Sequence, residues 1–270
     1  MSSKKKVVMT SIARRRVWLS LAWAAGVALA SGPAVAAPDD QARKFVVISL
    51  LGDKLQVVSR QSKIGSHLDS NLRESFELNG GVFDQTALVT IDAQIKQIEP
   101  KATVFALKLA SADVLGDPAN LLEGGRFVSP AVLEPVLKQL QASHLLLVRR
   151  HRGELIIKTL REKQGSGMLE GLGFFIDRET PVTDGQNSET YRGFLAPFTY
   201  FKVSLINLSS GKLERESIVT QSEARISHRK EAAADPWEVM SNVEKLEFLR
   251  QQLNLEVTAL LPALLTEPQR

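Results

Sequence analysis

The sequence predicts an α/β fold of the α+β kind: a mixed, largely antiparallel sheet covered by helices, in a single domain. Three observations predict it. β-Branched and aliphatic runs recur at residues 44–51, 54–61, 102–110, 144–148 and 199–222. Two segments, 84–98 and 236–258, carry apolar residues at helical spacing. Gly, Pro and Ser punctuate the intervals, and no repeat of fixed period is evident.

In chain order, Lys44–Leu51 (KFVVISLL) and Lys54–Gln61 (KLQVVSRQ) read as strands. Gly52-Asp53 between them suits a tight reversal, so a hairpin is expected. Residues 62–81 are polar and Gly/Asn/Ser-rich, a loop with a short helix or edge strand. Asp84 stands where an N-cap is needed. Leu88, Ile91, Ile95 and Ile98 then share a helical face, and Pro100 ends the helix. A strand follows at 102–110 and a loop at 111–128. Ser129-Pro130 is expected to open a second helix with Val132, Val136, Leu137 and Leu140 inward, distorted near its start by Pro135.

His144–Val148 (HLLLV) has the composition of a buried strand, and Glu154–Leu160 is expected to return from it through Arg152-Gly153. Residues 199–208 and 212–222 form a long hairpin about Ser209-Ser210-Gly211. Phe201, Val203 and Leu205 alternate there with Tyr200, Lys202 and Ser204. Asp235-Pro236 starts the last helix. Its apolar stripe is Trp237, Met240, Val243 or Leu246, Leu249, Leu253 and Val257, while Glu244, Lys245, Glu247, Arg250 and Glu256 make a solvated face.

The N-terminus is an address. Lys4–Lys6 and Arg14–Arg16 form a basic front, Val17–Ala30 an apolar stretch too short to span a bilayer, and Ala34-Val35-Ala36 a small-residue cleavage signal. This implies a signal peptide at 1–36, a disordered lead-in at 37–43, one domain at 44–262 with a hairpin-like insertion at 165–198, and a tail at 263–270. Arg14-Arg15 partly matches a twin-arginine leader, and an ordinary Sec leader is the alternative. The leader holds six of the 34 basic residues and none of the 30 acidic ones, so the remainder carries 28 against 30, a net charge of −2. That balance gives no ground for nucleic-acid binding. With no cysteine, the fold has no disulfides and no lipid-bearing N-terminal Cys. No later apolar run is long enough to cross a membrane after cleavage.

No catalytic constellation and no cofactor motif is legible. Gly165-Ser166-Gly167 lacks the spacing of a nucleophile elbow. His67, His144, His151 and His228 stand apart, so no metal site is expected. Arg149-Arg150-His151-Arg152 is a basic turn that could grip phosphate or anionic lipid, or simply form a solvated sheet end. The most unusual region is 165–198. Two glycine-bearing apolar arms, with Leu169, Leu172, Phe174 and Phe175 on one and Tyr191, Phe194 and Phe198 on the other, flank a polar tip. If this hairpin projects, its Phe and Leu side chains form an exposed patch for a partner; if it folds back, they are core.

Gly52-Asp53 resembles the start of the Gly-Asp-Ser of SGNH-type hydrolases. Lys54 replaces the nucleophile, however, and Ile226 stands where an Asp should precede His228, so that likeness is set aside. Residues 144–148, 169–174 and 192–198 resemble segments of exported proteins of Gram-negative bacteria, which imply no particular activity. The order of elements resembles the periplasmic α/β modules of curli-secretion subunits, TolB N-terminal domains and lipoprotein activators of penicillin-binding proteins. Three functional readings follow. The first is a periplasmic, non-enzymatic protein with an envelope protein partner. The second is a secreted hydrolase assembled from distant residues such as Asp53, His144, His151 and Asp177. The third is a protein that binds a small ligand or lipid.

Overall fold

The strands are Lys44–Leu50 (β1), Lys54–Ser59 (β2), Leu72–Glu77 (β3), Thr103–Leu107 (β4), Leu122–Glu123 (β5), Arg126–Phe127 (β6), His144–Arg150 (β7), Arg152–Glu154 (β8), Ile157–Lys158 (β9), Lys163–Gln164 (β10), Met168–Thr183 (β11), Thr190–Asn207 (β12) and Lys212–Ser222 (β13). The helices are Val82–Ile98 (α1), Glu134–Leu140 (α2) and Asn242–Thr266 (α3). The computed structural model describes residues 42–61, 71–109, 115, 117–158, 163–164, 167–183, 189–226 and 235–266. The leader, most of the lead-in, His67 and His228 lie outside them. From Gln41 onward the chain is one unit, an α+β fold built on an 11-stranded mixed sheet. No helix among the described residues is long and apolar enough to cross a membrane.

The 18-residue β12 organises the sheet. Along one side, Phe198–Asn207 pairs antiparallel with β13, the expected hairpin. Along the other side, Thr190–Tyr200 pairs with β11 and Phe201–Asn207 with β7. β7 and β11 therefore follow one another along β12. Outside β7 lie β1 and then β4, all three parallel. Outside β11 lie β2, parallel to it, and then β3, antiparallel.

This wiring corrects the first expected hairpin. β1 and β2 do not pair; they lie end to end, one beside β7 and the other beside β11. Gly52, at φ 69°, lets the chain jog between the two halves of the sheet. Asp84 explains why the chain goes straight on. It is not an N-cap: α1 starts two residues earlier, after Gly81, with no side-chain cap. The Asp84 carboxylate is thus free to accept hydrogen bonds from Ser49 Oγ (2.5 Å), Leu51 N (2.9 Å) and Gly52 N (3.1 Å). Backbone donors that a reversal would satisfy locally are satisfied from a helix 32 or more residues away. Residues 152–158 likewise do not return along β7. β8 pairs with β11, and β9 pairs with β10.

Both long helices cover one face of the sheet. Leu88, Ile91 and Ile95 of α1 and Leu249, Leu253, Val257 and Leu261 of α3 bury against Phe45, Val47, Phe174, Phe201, Val203 and Leu205. Of the two candidates for the α3 stripe, Leu246 packs inward, whereas Val243 is 79% exposed. Lys245 leaves the expected solvated face. It is buried, with Nζ 3.8 Å from the Trp237 ring centroid and donating to Met240 O at 2.7 Å. The helix also outruns its expected end, continuing through Pro262 to Thr266. Arg215 and Arg43 donate to the Leu264 and Leu265 carbonyls, stabilising a C-terminus that would otherwise carry orphan acceptors. The second helix begins at Glu134 rather than Ser129, with Pro135 in its first turn, where proline is favourable rather than distorting. Val132 is consequently exposed.

The opposite face is covered in two patches. One lies under β1 and β7, where Leu121, Leu133 and Leu137 meet Ile48, Leu145, Leu147 and Ile206. The other lies under β2, β11 and the outer half of β12, where Leu155 and Ile157 meet Val58, Phe175, Phe198 and Tyr200. Because the two covers are separate, the fault between the halves of the sheet stays open beneath them.

Candidate functional site

The apolar arms at 165–198 are β11 and β12 themselves, the centre of the sheet. Leu169, Leu172, Phe174, Phe175, Phe194 and Phe198 are each at most 1% exposed. They form no projecting patch: Leu172 and Phe174 bury in the core under α1 and α3, and Leu169, Phe175, Phe194 and Phe198 in the core of the opposite face. Tyr191 is half-buried near the outer end of β12, its hydroxyl donating to Glu189. Residues 184–188 of the tip lie outside the described residues.

The basic turn stands differently. Parallel strands β4, β1 and β7 end together at Leu107, Leu50 and Arg150, and the space beyond such carboxyl ends is where open α/β sheets receive ligands. Two hollows lie there. One, of about 500 Å³, is walled by Arg149, Arg150, His151, Arg152 and Lys202 with Asp117, Glu170 and Glu216. The other, of about 690 Å³, is walled by Ser49, Asp53, Asp84, Lys108 and Arg150 beside the start of α1. Leu50, Pro118 and Arg150 belong to both.

Arg149 and Arg150 reach these positions by different routes. Arg149 is buried on the face away from α1 and α3. It donates to Pro118 O (3.0 Å), Ser204 Oγ (3.4 Å) and Glu216 Oε2 (3.3 Å), while its Nε is buried without a partner among the described residues. Arg150 threads the fault between two positive-φ glycines. A Cβ on Gly52 would meet its Nη2 at 3.0 Å, and one on Gly171 its Cδ at 3.2 Å. Its Nε donates to Leu51 O at 2.5 Å. Among the described residues, its two terminal nitrogens have no hydrogen-bond acceptor. Burial pushes both guanidinium pKa values down from their usual level, with Glu216 opposing this at Arg149 and Glu170, Asp84 and Asp53 at Arg150. Both still remain cationic, since an arginine cannot be neutralised under ordinary conditions.

Lys202 Nζ lies 3.7 Å from Glu216 Oε1, so Glu216 partly neutralises both Lys202 and Arg149. Arg152 is exposed. Burial lowers the pKa of His151, and Lys202 lowers it further, which favours a neutral imidazole beside the arginines. Asp84, beneath the second hollow, is pushed up by burial; hydrogen bonds from Ser49, Gly52 and Leu51 oppose this without cancelling it. Sequence reasoning found the arginines but missed Asp84, Lys202, Glu170 and Glu216. Asp84 had been given a local duty as a cap, and no local pattern marks the others.

Of the four residues suggested for a hydrolytic site, Asp53 and His151 wall the two adjoining hollows, and His144 and Asp177 lie elsewhere. His144 begins β7 and His151 follows its end, about 23 Å away at strand rise. His144, pushed down by burial against the pull of Glu214, lies at the far end with its Nε2 3.5 Å from Glu214 Oε2. Asp177 serves a β-bulge in β11. It accepts from Glu179 N, Thr180 N, Thr180 Oγ1 and Arg60 Nη1 at 2.6–2.9 Å. Burial raises its carboxyl pKa, but these four donors together outweigh burial and hold it below the usual value. Asp177→Ala is therefore expected to cost about 2–3 kcal/mol at neutral pH. A depressed folded pKa contributes stability above the unfolded value and loses it as pH falls through the folded one. The difference in urea midpoint between wild type and variant should close on acidification. A gap that stays constant down to low pH would show that the ionised carboxylate does not hold the bulge.

No protein-family model and no curated protein matches this chain. Solved structures give distant likenesses. A Xanthomonas campestris protein of the DUF330 family is 9% identical over 81% of each chain, with a TM-score of 0.34. A hypothetical protein from Chlamydia trachomatis is 14% identical over 83% of this chain and 99% of that one, at 0.35. A neuraminyllactose-binding hemagglutinin homolog from Helicobacter pylori is 9% identical over 82% and 86%, at 0.36. At these values the likenesses carry no inference about ligand or activity.

Proposed function

We propose that this chain is an exported, non-enzymatic binding protein of the bacterial cell envelope. Its basic cleft, at the fault between the halves of the sheet, takes a small ligand bearing phosphate or carboxylate. The export half of the reading is supported by the leader-like N-terminus. The binding half rests on one observation above all: Arg150 stands in the wall of both hollows, and its two terminal nitrogens have no hydrogen-bond acceptor among the described residues. A guanidinium whose outer donors lack an acceptor can spend them on an anion seated in the cleft, in charge-assisted hydrogen bonds. The site is built on strand ends, so the donors are held in place before the ligand arrives.

Calorimetry and thermal shift on the purified protein, with inorganic phosphate, phosphate monoesters and di- and tricarboxylates as probes, test this. At least one class should bind and raise the melting temperature. Arg152→Ala combined with Lys202→Ala removes two cations at the mouth of the cleft without touching the core. The pair should weaken binding about tenfold or more, ~1.4 kcal/mol, with reduced sensitivity to salt. No heat and no stabilisation from any of these anions would end the anion-binding reading.

A further inference from the structure

The first edge of the sheet is the six-residue strand β3, Leu-Arg-Glu-Ser-Phe-Glu, whose side chains are all exposed. It pairs with β2 on its inner side; among the described residues, no strand pairs with its outer side. Leu78 N donates to Asp53 O, which fixes the alternation. Leu72, Glu74 and Phe76 direct their backbone groups to β2, so Arg73, Ser75 and Glu77 direct theirs outward. An exposed edge of this kind is a template for another strand.

We propose that a second copy of this chain is that strand, the two pairing antiparallel about a two-fold axis through Ser75. In a symmetric antiparallel pair, outward-directed residues must face one another. Only axes at single residues satisfy this, and their side-chain pairings differ. An axis at Glu74 sets Glu74 directly against its own copy, a like-charge clash. An axis at Phe76 sets Ser75 against Glu77 and Arg73 against Asn79. The axis at Ser75 sets Arg73 of each copy against Glu77 of the other, giving two opposite-charge pairs on one face of the joint sheet. On the other face it sets Leu72 against Leu78 and Glu74 against Phe76.

That second face is the one that α1 and α3 cover further in. Phe76 and Glu74 lie beside Leu55 and Val57 of the core. Leu72 and Phe76, 47% and 48% exposed, therefore extend the core surface to the edge and stop there uncovered. The dimer would cover Leu72 with Leu78 of the other copy and lay the methylene stem of Glu74 over Phe76, while matching charge on the reverse side. Arg73, which in the single chain donates to Met168 O at 2.9 Å, would turn outward to its new partner. The interface is isologous and closes at two copies.

The absence of cysteine makes the test clean. A Ser75→Cys variant carries a single thiol per chain, and the proposed axis puts it opposite its own copy at about 5.5 Å between Cα atoms, within reach of a disulfide. Mild oxidation should link Ser75→Cys into a covalent dimer. Ser210→Cys, in the exposed turn after β12, should stay largely unlinked under the same treatment. Sedimentation of the wild type should show a concentration-dependent dimer. Arg73→Glu alone and Glu77→Arg alone should each weaken it about tenfold or more. An equimolar mixture of the two variants should restore it, because each new carboxylate then meets an arginine. A wild type that sediments as monomer throughout, with Ser75→Cys linking no faster than Ser210→Cys, would overturn the proposal. So would a dimer that both charge reversals leave intact. Circular dichroism of each variant reports separately on folding.

Discussion

Gly173→Ala is expected to prevent stable folding. Gly173 of β11 pairs with Gln56 of β2 on one side and Phe198 of β12 on the other. A Cβ there would lie 1.9 Å from Gln56 O and 2.8 Å from Phe198 Cζ. The first contact is with backbone, which cannot swing aside as a side chain can. Relief requires β2 and β11 to separate, and this is the pairing that joins the outer half of the sheet. The cost should reach about 4–5 kcal/mol or more, a large share of the ~5–15 kcal/mol that holds a domain together. Gly124→Ala is the control. Its φ is 54° but nothing lies within 4 Å of a Cβ, so it should lose only about 1–2 kcal/mol to backbone strain. Urea titration followed by circular dichroism separates the two. A Gly173→Ala protein with the wild-type midpoint would mean that β11 and β2 do not meet in this register.

Phe174→Ala carries the next largest effect. The ring is fully buried between the sheet and the α3 layer, with Trp237 edge-on at 5.7 Å between centroids. Removing it deletes apolar contact on all sides and leaves a cavity walled by strands that cannot close in. The expected loss is about 3–5 kcal/mol, and Phe194→Ala on the other face should fall in the same range. This outcome decides between the two readings of the apolar arms. Were they a partner surface, truncating either ring would leave the urea midpoint nearly unchanged and remove a binding partner instead. A midpoint within experimental error of wild type would therefore contradict the burial of this residue.

The leucine and isoleucine spacing that announces α1 and the stripe that announces α3 were both legible, because helical periodicity is a property of neighbours in sequence. The 199–222 hairpin was legible for the same reason: its turn residues and alternation lie within one stretch. Lys245 was not. Its spacing puts it among charged residues, and only the position of Trp237 and the Met240 carbonyl turns it inward. The basic cluster was visible as composition, but the same four residues could have capped any strand end. What makes them a cleft is the fault in the sheet, into which Arg150 passes between Gly52 and Gly171, and neither glycine is written near residue 149.

The sequence by itself determined where regular structure starts and what its periodicity is, which residue types seek burial, and that no disulfide or cysteine-borne lipid could take part. Apart from the 199–222 hairpin, only the tertiary structure decided which strands are neighbours. The run from Lys44 to Ser59 shows the difference. Its Gly-Asp break permits either a reversal or a straight continuation. The choice was made by Asp84, which takes the Leu51 and Gly52 N–H groups, and by Arg150, which takes the Leu51 carbonyl. Backbone hydrogen bonds must be satisfied somewhere, but the chain does not say locally by whom, and here the partners come from residues 32–99 positions further on.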